Sequence, residues 1–153
     1  MRFPFALATI VALALAGSTL AQGSAQHQLG VRIPTVLRLR IDHQVESARA
    51  NVPIDVRVEG ARHEIDPATT RLEVFANTDW QLSISYTSVG NGSELVLRWH
   101  ALGSEGVLQV SPSVLADGRA TAGWHSIDVR YGIVNEPADG TSQGVIAYTL
   151  ARP

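Results

Sequence analysis

From Leu29 to the end of the chain, apolar and polar residues alternate with a period of two. Val36-Leu37-Arg38-Leu39-Arg40-Ile41 places Leu37, Leu39 and Ile41 on one face and both arginines on the other. Ile54 to Glu59 repeats the device, with Ile54, Val56 and Val58 facing inward. Leu72-Glu73-Val74 leads into Trp80 to Tyr86, and Glu94 to Trp99, Val107 to Val110, Ile127 to Ile133 and Val145 to Leu150 complete the series. A period of two buries one side of a pleated strand and wets the other, so each run predicts a half-buried antiparallel strand. No window carries a helical stripe with caps.

Punctuation supports the same class. Asn91-Gly92, Asp117-Gly118 and Asp139-Gly140 read as tight-turn dipeptides. Pro34, Pro53, Pro67, Pro112 and Pro137 fall where strand edges or loops are expected. About eight short strands in series predict an all-β fold, a single antiparallel two-sheet β-sandwich of immunoglobulin-like type.

The N-terminus reads differently. Arg2 followed by the apolar Leu7 to Leu15 and then by small residues has the make-up of a secretory signal, with cleavage near residue 21 or as late as 25. The apolar run is shorter than the roughly 20 residues a membrane span needs. The expected organisation is a signal over 1–21, a flexible mature N-terminus over 22–28 and a β-sandwich over 29–153. The protein is expected to be exported, to the periplasm or the cell surface, with no stable membrane insertion after cleavage.

Composition narrows the chemistry. The 153 residues include no Cys, and all 12 basic residues are Arg. Disulfides, thiolate metal sites, thiol nucleophiles and lysine Schiff bases are thereby excluded. Without Arg2, eleven arginines face fourteen acids, a net charge of −3. A mildly acidic chain without basic runs is not expected to bind nucleic acid.

Motifs that carry chemistry in other settings lack their context here. Gly140-Thr141-Ser142-Gln143-Gly144 spells G-x-S-x-G, but a strand follows it, and no His or acid comes after Ser142. It reads as a small-residue loop entering the last strand. His63-Glu64-Ile65-Asp66 opens like a metalloprotease helix, yet Pro67 stands where the second His belongs. It reads as a solvated polar turn. No cofactor and no catalytic activity are expected. Trp80 and Trp99 are in phase with buried neighbours and are assigned to the core. Trp124, beside His125, lies outside clean alternation. It reads either as a strand-entry Trp packed beneath a loop or as an exposed ring that stacks on a glycan.

The segment Leu72 to Leu82, ending Asn77-Thr78-Asp79-Trp80-Gln81-Leu82, resembles the strand, Asn, turn and Trp-x-Leu segment of bacterial secreted sandwich domains. These are WxL-type surface domains and fimbrial or spore-coat-U-like subunits. Tyr131 to Leu150 resembles their terminal hairpin. The chain lacks the second Trp motif of WxL domains and the disulfide usual in pilins. The resemblance implies a noncatalytic structural, adhesive or pilus-like subunit of the cell envelope, with a carbohydrate-binding module as the alternative. Leu29, Val31 and Ile33 alternate behind the polar N-terminus. They read as the protein's own first strand or as a strand donated to the sheet edge of a second copy or another envelope protein.

Overall fold

The computed structural model describes residues 32–45, 47–89, 95–135 and 139–153. Residues 34–153 form one compact unit, and every described strand lies within it. There are eleven strands and no helix among the described residues: β1 (Leu37–Ile41), β2 (Gln44–Val45), β3 (Arg49–Glu59), β4 (Arg62–Asp66), β5 (Thr69–Ala76), β6 (Trp80–Val89), β7 (Leu97–Ala101), β8 (Ser104–Val107), β9 (Ser113–Gly118), β10 (His125–Ile133) and β11 (Gly140–Ala151). They make two antiparallel sheets. Sheet A has the order β2-β1-β5-β10-β7-β8, its two-residue β2 a mere flank, and sheet B has the order β4-β3-β11-β6-β9.

The longest strands follow the alternation closely. β3 is buried at every second residue from Ala50 to Val58, and β11 at every second residue from Gly144 to Leu150. Inward residues of both sheets form one core that includes Leu39, Leu72, Ile84, Ile127 and Ile146. The sheets also meet through polar groups in that core. The Tyr131 hydroxyl of β10 donates to Thr70 Oγ1 of β5 at 2.8 Å and is hydrogen-bonded to the Tyr148 hydroxyl of β11. Burial raises the pKa of both tyrosines above the ordinary value. These buried hydroxyls satisfy one another, which an apolar core requires of any polar group it admits.

Apart from β2, β4 and β8, successive strands alternate between sheets: β1, β5, β7 and β10 belong to sheet A, and β3, β6, β9 and β11 to sheet B. Hairpins add only the short arms β2, β4 and β8. Asp42 and His43 in the β1–β2 turn, and Leu102 and Gly103 in the β7–β8 turn, all have positive φ, the backbone of a two-residue type I′ hairpin.

Three aromatic rings cover glycines on neighbouring strands. Trp99 lies over Gly106, Trp80 over Gly118 and Tyr86 over Gly144. A Cβ at Gly118 would sit 2.6 Å from Trp80 Cζ2. This arrangement corrects the reading of Asp117-Gly118 as a turn. Both residues belong to β9, with Gly118 paired to Trp80, because the indole needs a strand position without a side chain. The indole is fixed there by its Nε1–H, which donates to the Arg119 carbonyl at 2.8 Å.

Other sequence expectations also change. His63 to Asp66 is not a turn but lies within strand β4, whose residues are exposed apart from Ile65. Gly140 to Gly144 is not a loop but the start of β11, with Ser142 opposite Val56. Of Val107 to Val110, only Val107 is in a strand. Leu108 N–H donates to the Leu97 carbonyl of sheet A, and the Gln109 carbonyl accepts from Tyr86 N–H of sheet B. That segment therefore carries the chain from one sheet to the other. The count rises above eight because β2, β4 and β9 (Ser113–Gly118) carry no clean apolar alternation and were not expected, while β8 meets the expected Val107 to Val110 run only at Val107. Trp80 and Trp99 are buried as expected. The Asn91-Gly92 turn lies outside the described residues.

The Asn of the Leu72–Leu82 segment has a structural task. Asn77 accepts from Val36 N–H at 2.7 Å and donates to the Pro34 carbonyl at 2.7 Å. It fastens the chain leading into β1 against the end of β5.

Candidate functional site

The two inner faces merge in the core, so contacts with other molecules fall to the two outer faces and the edges. On sheet A the register sets Arg40 opposite Glu73, Glu73 opposite Ser126, Arg71 opposite Asp128, and Arg130 opposite His100. Nearly every rung carries charge.

Trp124, just before β10, caps one of these rungs. The Arg40 guanidinium carbon stands 4.2 Å from the centre of its ring, and Phe75 of β5 packs against it with ring centroids 5.8 Å apart. Beneath it, Arg40 Nε contacts Glu73 Oε2 at 2.7 Å, the two side chains being 22% and 14% exposed. His43 Nδ1 lies 3.8 Å from the same oxygen. Trp124 remains 37% exposed. Its ring already meets a cation and a second aromatic, contacts that a stacking sugar would have to share or displace.

His125 does not join Trp124. It pairs with the inward-facing Val74 and packs its ring near Trp80, with centroids 6.2 Å apart. Consecutive residues of an extended chain point to opposite faces, so these sequence neighbours serve different sides of sheet A. Further along the outer face, Arg71 Nε donates to Asp128 Oδ1 at 2.8 Å and a second guanidinium nitrogen reaches Oδ2 at 3.3 Å. This bond lowers the Asp128 pKa below the usual carboxylate range and raises that of Arg71.

Sheet B presents a different outer face. Val145 stands between Pro53 and Thr87, Ala147 between Asn51 and Ser85, and Thr149 between Arg49 and Ser83. The buried Ile146, Tyr148 and Leu150 point the other way, so these residues face outward. The 12 residues of β11 and the 10 of β6 include no Asp, Glu, Arg or His. Charge is confined to the margins. Arg49 stands at one end of β3, and at the other Asp55 pairs with Asp66 and Arg57 with Glu64 across to β4.

The β3–β4 hairpin holds a depression of about 390 Å³ lined by Arg57, Glu59, Arg62, His63 and Glu64. His63 and Glu64 are consecutive in a strand and cannot converge on one ligand from the same face. Among the described residues no group of three or more His, Asp or Glu could hold a metal ion. Of the segment Leu29, Val31 and Ile33, the first two residues lie outside those described. Ile33 is 76% exposed and belongs to no strand.

Sequence reading singled out Trp124, His125 and the Leu29–Ile33 segment but missed the outer face of sheet B. The signal was present, since β6 and β11 lack charge throughout. Its meaning depends on the two strands being neighbours, which only the topology supplies. No protein-family model matches the chain, and no curated protein is detectably similar to it.

Proposed function

We propose that the chain is an exported bacterial envelope or surface protein without catalytic activity, acting as a structural, adhesive or pilus-like subunit. The observation that carries this reading is the outer face of sheet B, where β11 and β6 expose only uncharged side chains, mostly short ones apart from Gln81 and Gln143. Strands that face only solvent normally carry charges that discourage association. A smooth uncharged face is suited to lying against another protein surface.

Export rests on the signal-like residues 1–25, which are outside the described residues. Two further features of the reading go beyond the architecture. The immunoglobulin-like relationship extends to a two-sheet sandwich, but here successive strands other than β2, β4 and β8 alternate between sheets, whereas immunoglobulin hairpins keep neighbouring strands together. Donation of the segment around Leu29, Val31 and Ile33 to a neighbour's edge is supported at Ile33 alone, which is exposed and in no strand. The carbohydrate-binding alternative has weaker support, because Arg40 and Phe75 already pack on Trp124.

The test is the size and location of the native protein in its own cells, with fractions run boiled and unboiled on a denaturing gel. High-mass species in the surface fraction that collapse on boiling are expected. A soluble periplasmic monomer in every fraction would overturn the subunit reading.

A further inference from the structure

We infer that the outer face of sheet B is a self-association surface, on which a second copy of this chain packs face to face about a two-fold axis running across the strands. The inference deepens the subunit reading by naming the partner and the contact, and it rests on that reading.

The argument begins with charge. Such an axis reverses strand direction while keeping each strand over its own counterpart. When it passes between Asn51 and Pro53, Arg49 of one copy comes opposite Asp55 of the other, and the reverse. Within one chain these groups lack counterparts: among the described residues, neither Arg49, Asp55 nor Asp66 takes part in an ion pair. Asp55 and Asp66 are directly opposed across β3 and β4, a like-charge arrangement that disfavours the pairing it sits on. A guanidinium from a second copy would neutralise it. The same face thus carries an unpaired cation at one end and a repelling acidic pair at the other, related by the proposed axis.

Shape agrees with charge. Between those ends the rungs centred on Val145 and Ala147 have only Pro53, Asn51, Ser85 and Thr87 as flanks, so two copies can approach closely without burying a charge. Sheet A admits no equivalent contact, since Trp124 and its neighbouring arginines stand above the strand surface. Three strands, β3, β11 and β6, span the roughly 20 Å from Arg49 to Asp55; about 4.8 Å apart, they outline about 300 Å² per copy and about 600 Å² in total. That size corresponds to a weak, reversible dimer, whose contact is strengthened when many copies are held together on a surface.

The test is sedimentation of the full-length gene product, purified as the cell processes it, over a wide concentration range. The wild type is expected to dimerise reversibly, and Arg49→Asp and Asp55→Arg each to weaken dimerisation at least tenfold. The double variant, Arg49→Asp with Asp55→Arg, is expected to restore it, and an unchanged far-UV circular dichroism spectrum checks that each single variant folds. A wild type that stays monomeric overturns the inference, as do dimers indifferent to both charges and assemblies that grow without limit. High-mass surface species from cells alongside a monomer in the centrifuge would retain the subunit reading and reject this face as its contact.

Discussion

The two outer faces of this sandwich are built from strands of the same alternating kind, yet they differ in what they offer a neighbour. Sheet A sets Arg40, Arg71 and Arg130 on successive rungs against Glu73, Asp128 and His100, and it closes one rung under Trp124. Sheet B places Val145 and Ala147 among Pro53, Asn51, Thr87 and Ser85, with Arg49 beside Thr149 at the margin. Folding asks only that the inner faces be apolar, so the outer residues are left to solubility and contact. On sheet A the charges hydrate the surface and discourage association. Sheet B dispenses with them over its two neighbouring strands β11 and β6.

The comparison has a counterpart inside the molecule, where the two sheets are alike. Each uses a ring over a glycine: Trp99 over Gly106 in sheet A and Trp80 over Gly118 in sheet B. Gly106→Ala and Gly118→Ala are therefore expected to have similar effects, each forcing a Cβ against a buried indole at a cost of about 2–3 kcal/mol. Chemical denaturation of the two variants is the check. A large cost at one glycine and none at the other would show that the inner faces differ as the outer ones do.

The buried tyrosines give the next effect. Burial raises both Tyr131 and Tyr148 above the ordinary tyrosine pKa, so the folded state keeps protons that the unfolded chain releases above pH about 10. Their contribution is fully present below that value and is lost as pH rises beyond it. Tyr148→Phe is expected to flatten the alkaline limb of a stability-against-pH curve while leaving the neutral-to-acid side unchanged in shape.

On the outer face of sheet A, Trp124→Ala removes a cation–π contact and the cover over the Arg40–Glu73 pair. A loss of about 1–2 kcal/mol is expected by thermal or chemical denaturation. The Arg71–Asp128 pair should matter least, being exposed to solvent. Because Arg71 lowers the Asp128 pKa, that pair contributes above the usual carboxylate range and fades as pH falls through the lowered value. Asp128→Asn should slightly flatten the acid limb alone.

The sequence disclosed strands best where both neighbours of a residue in the chain contrast with it in polarity. β3, β6, β10 and β11 are long enough and buried enough on one side for alternation to be unmistakable. β4 and β8 were illegible because most of their residues are exposed, so burial imposed no pattern. Asp117-Gly118 misled for a local reason: its turn chemistry is real, but Trp80 uses the glycine for space. Trp124 and His125 misled because adjacency in the chain suggested adjacency in a site, whereas an extended backbone sends them to opposite faces. The absence of charge in β6 and β11 could be read directly, yet a polar or an apolar gap has meaning only beside its neighbours.

The chain contains no cysteine, so a single introduced thiol can report on one face at a time. The most direct measurement compares Ala147→Cys on sheet B with Ser126→Cys on sheet A, each treated with a short bismaleimide at concentrations where the protein is tested for self-association. Cross-linked dimer from position 147 with little from position 126 is the expected result. Equal yields at both positions, a greater yield at 126, or none at 147 would contradict the assignment of sheet B as the contact face.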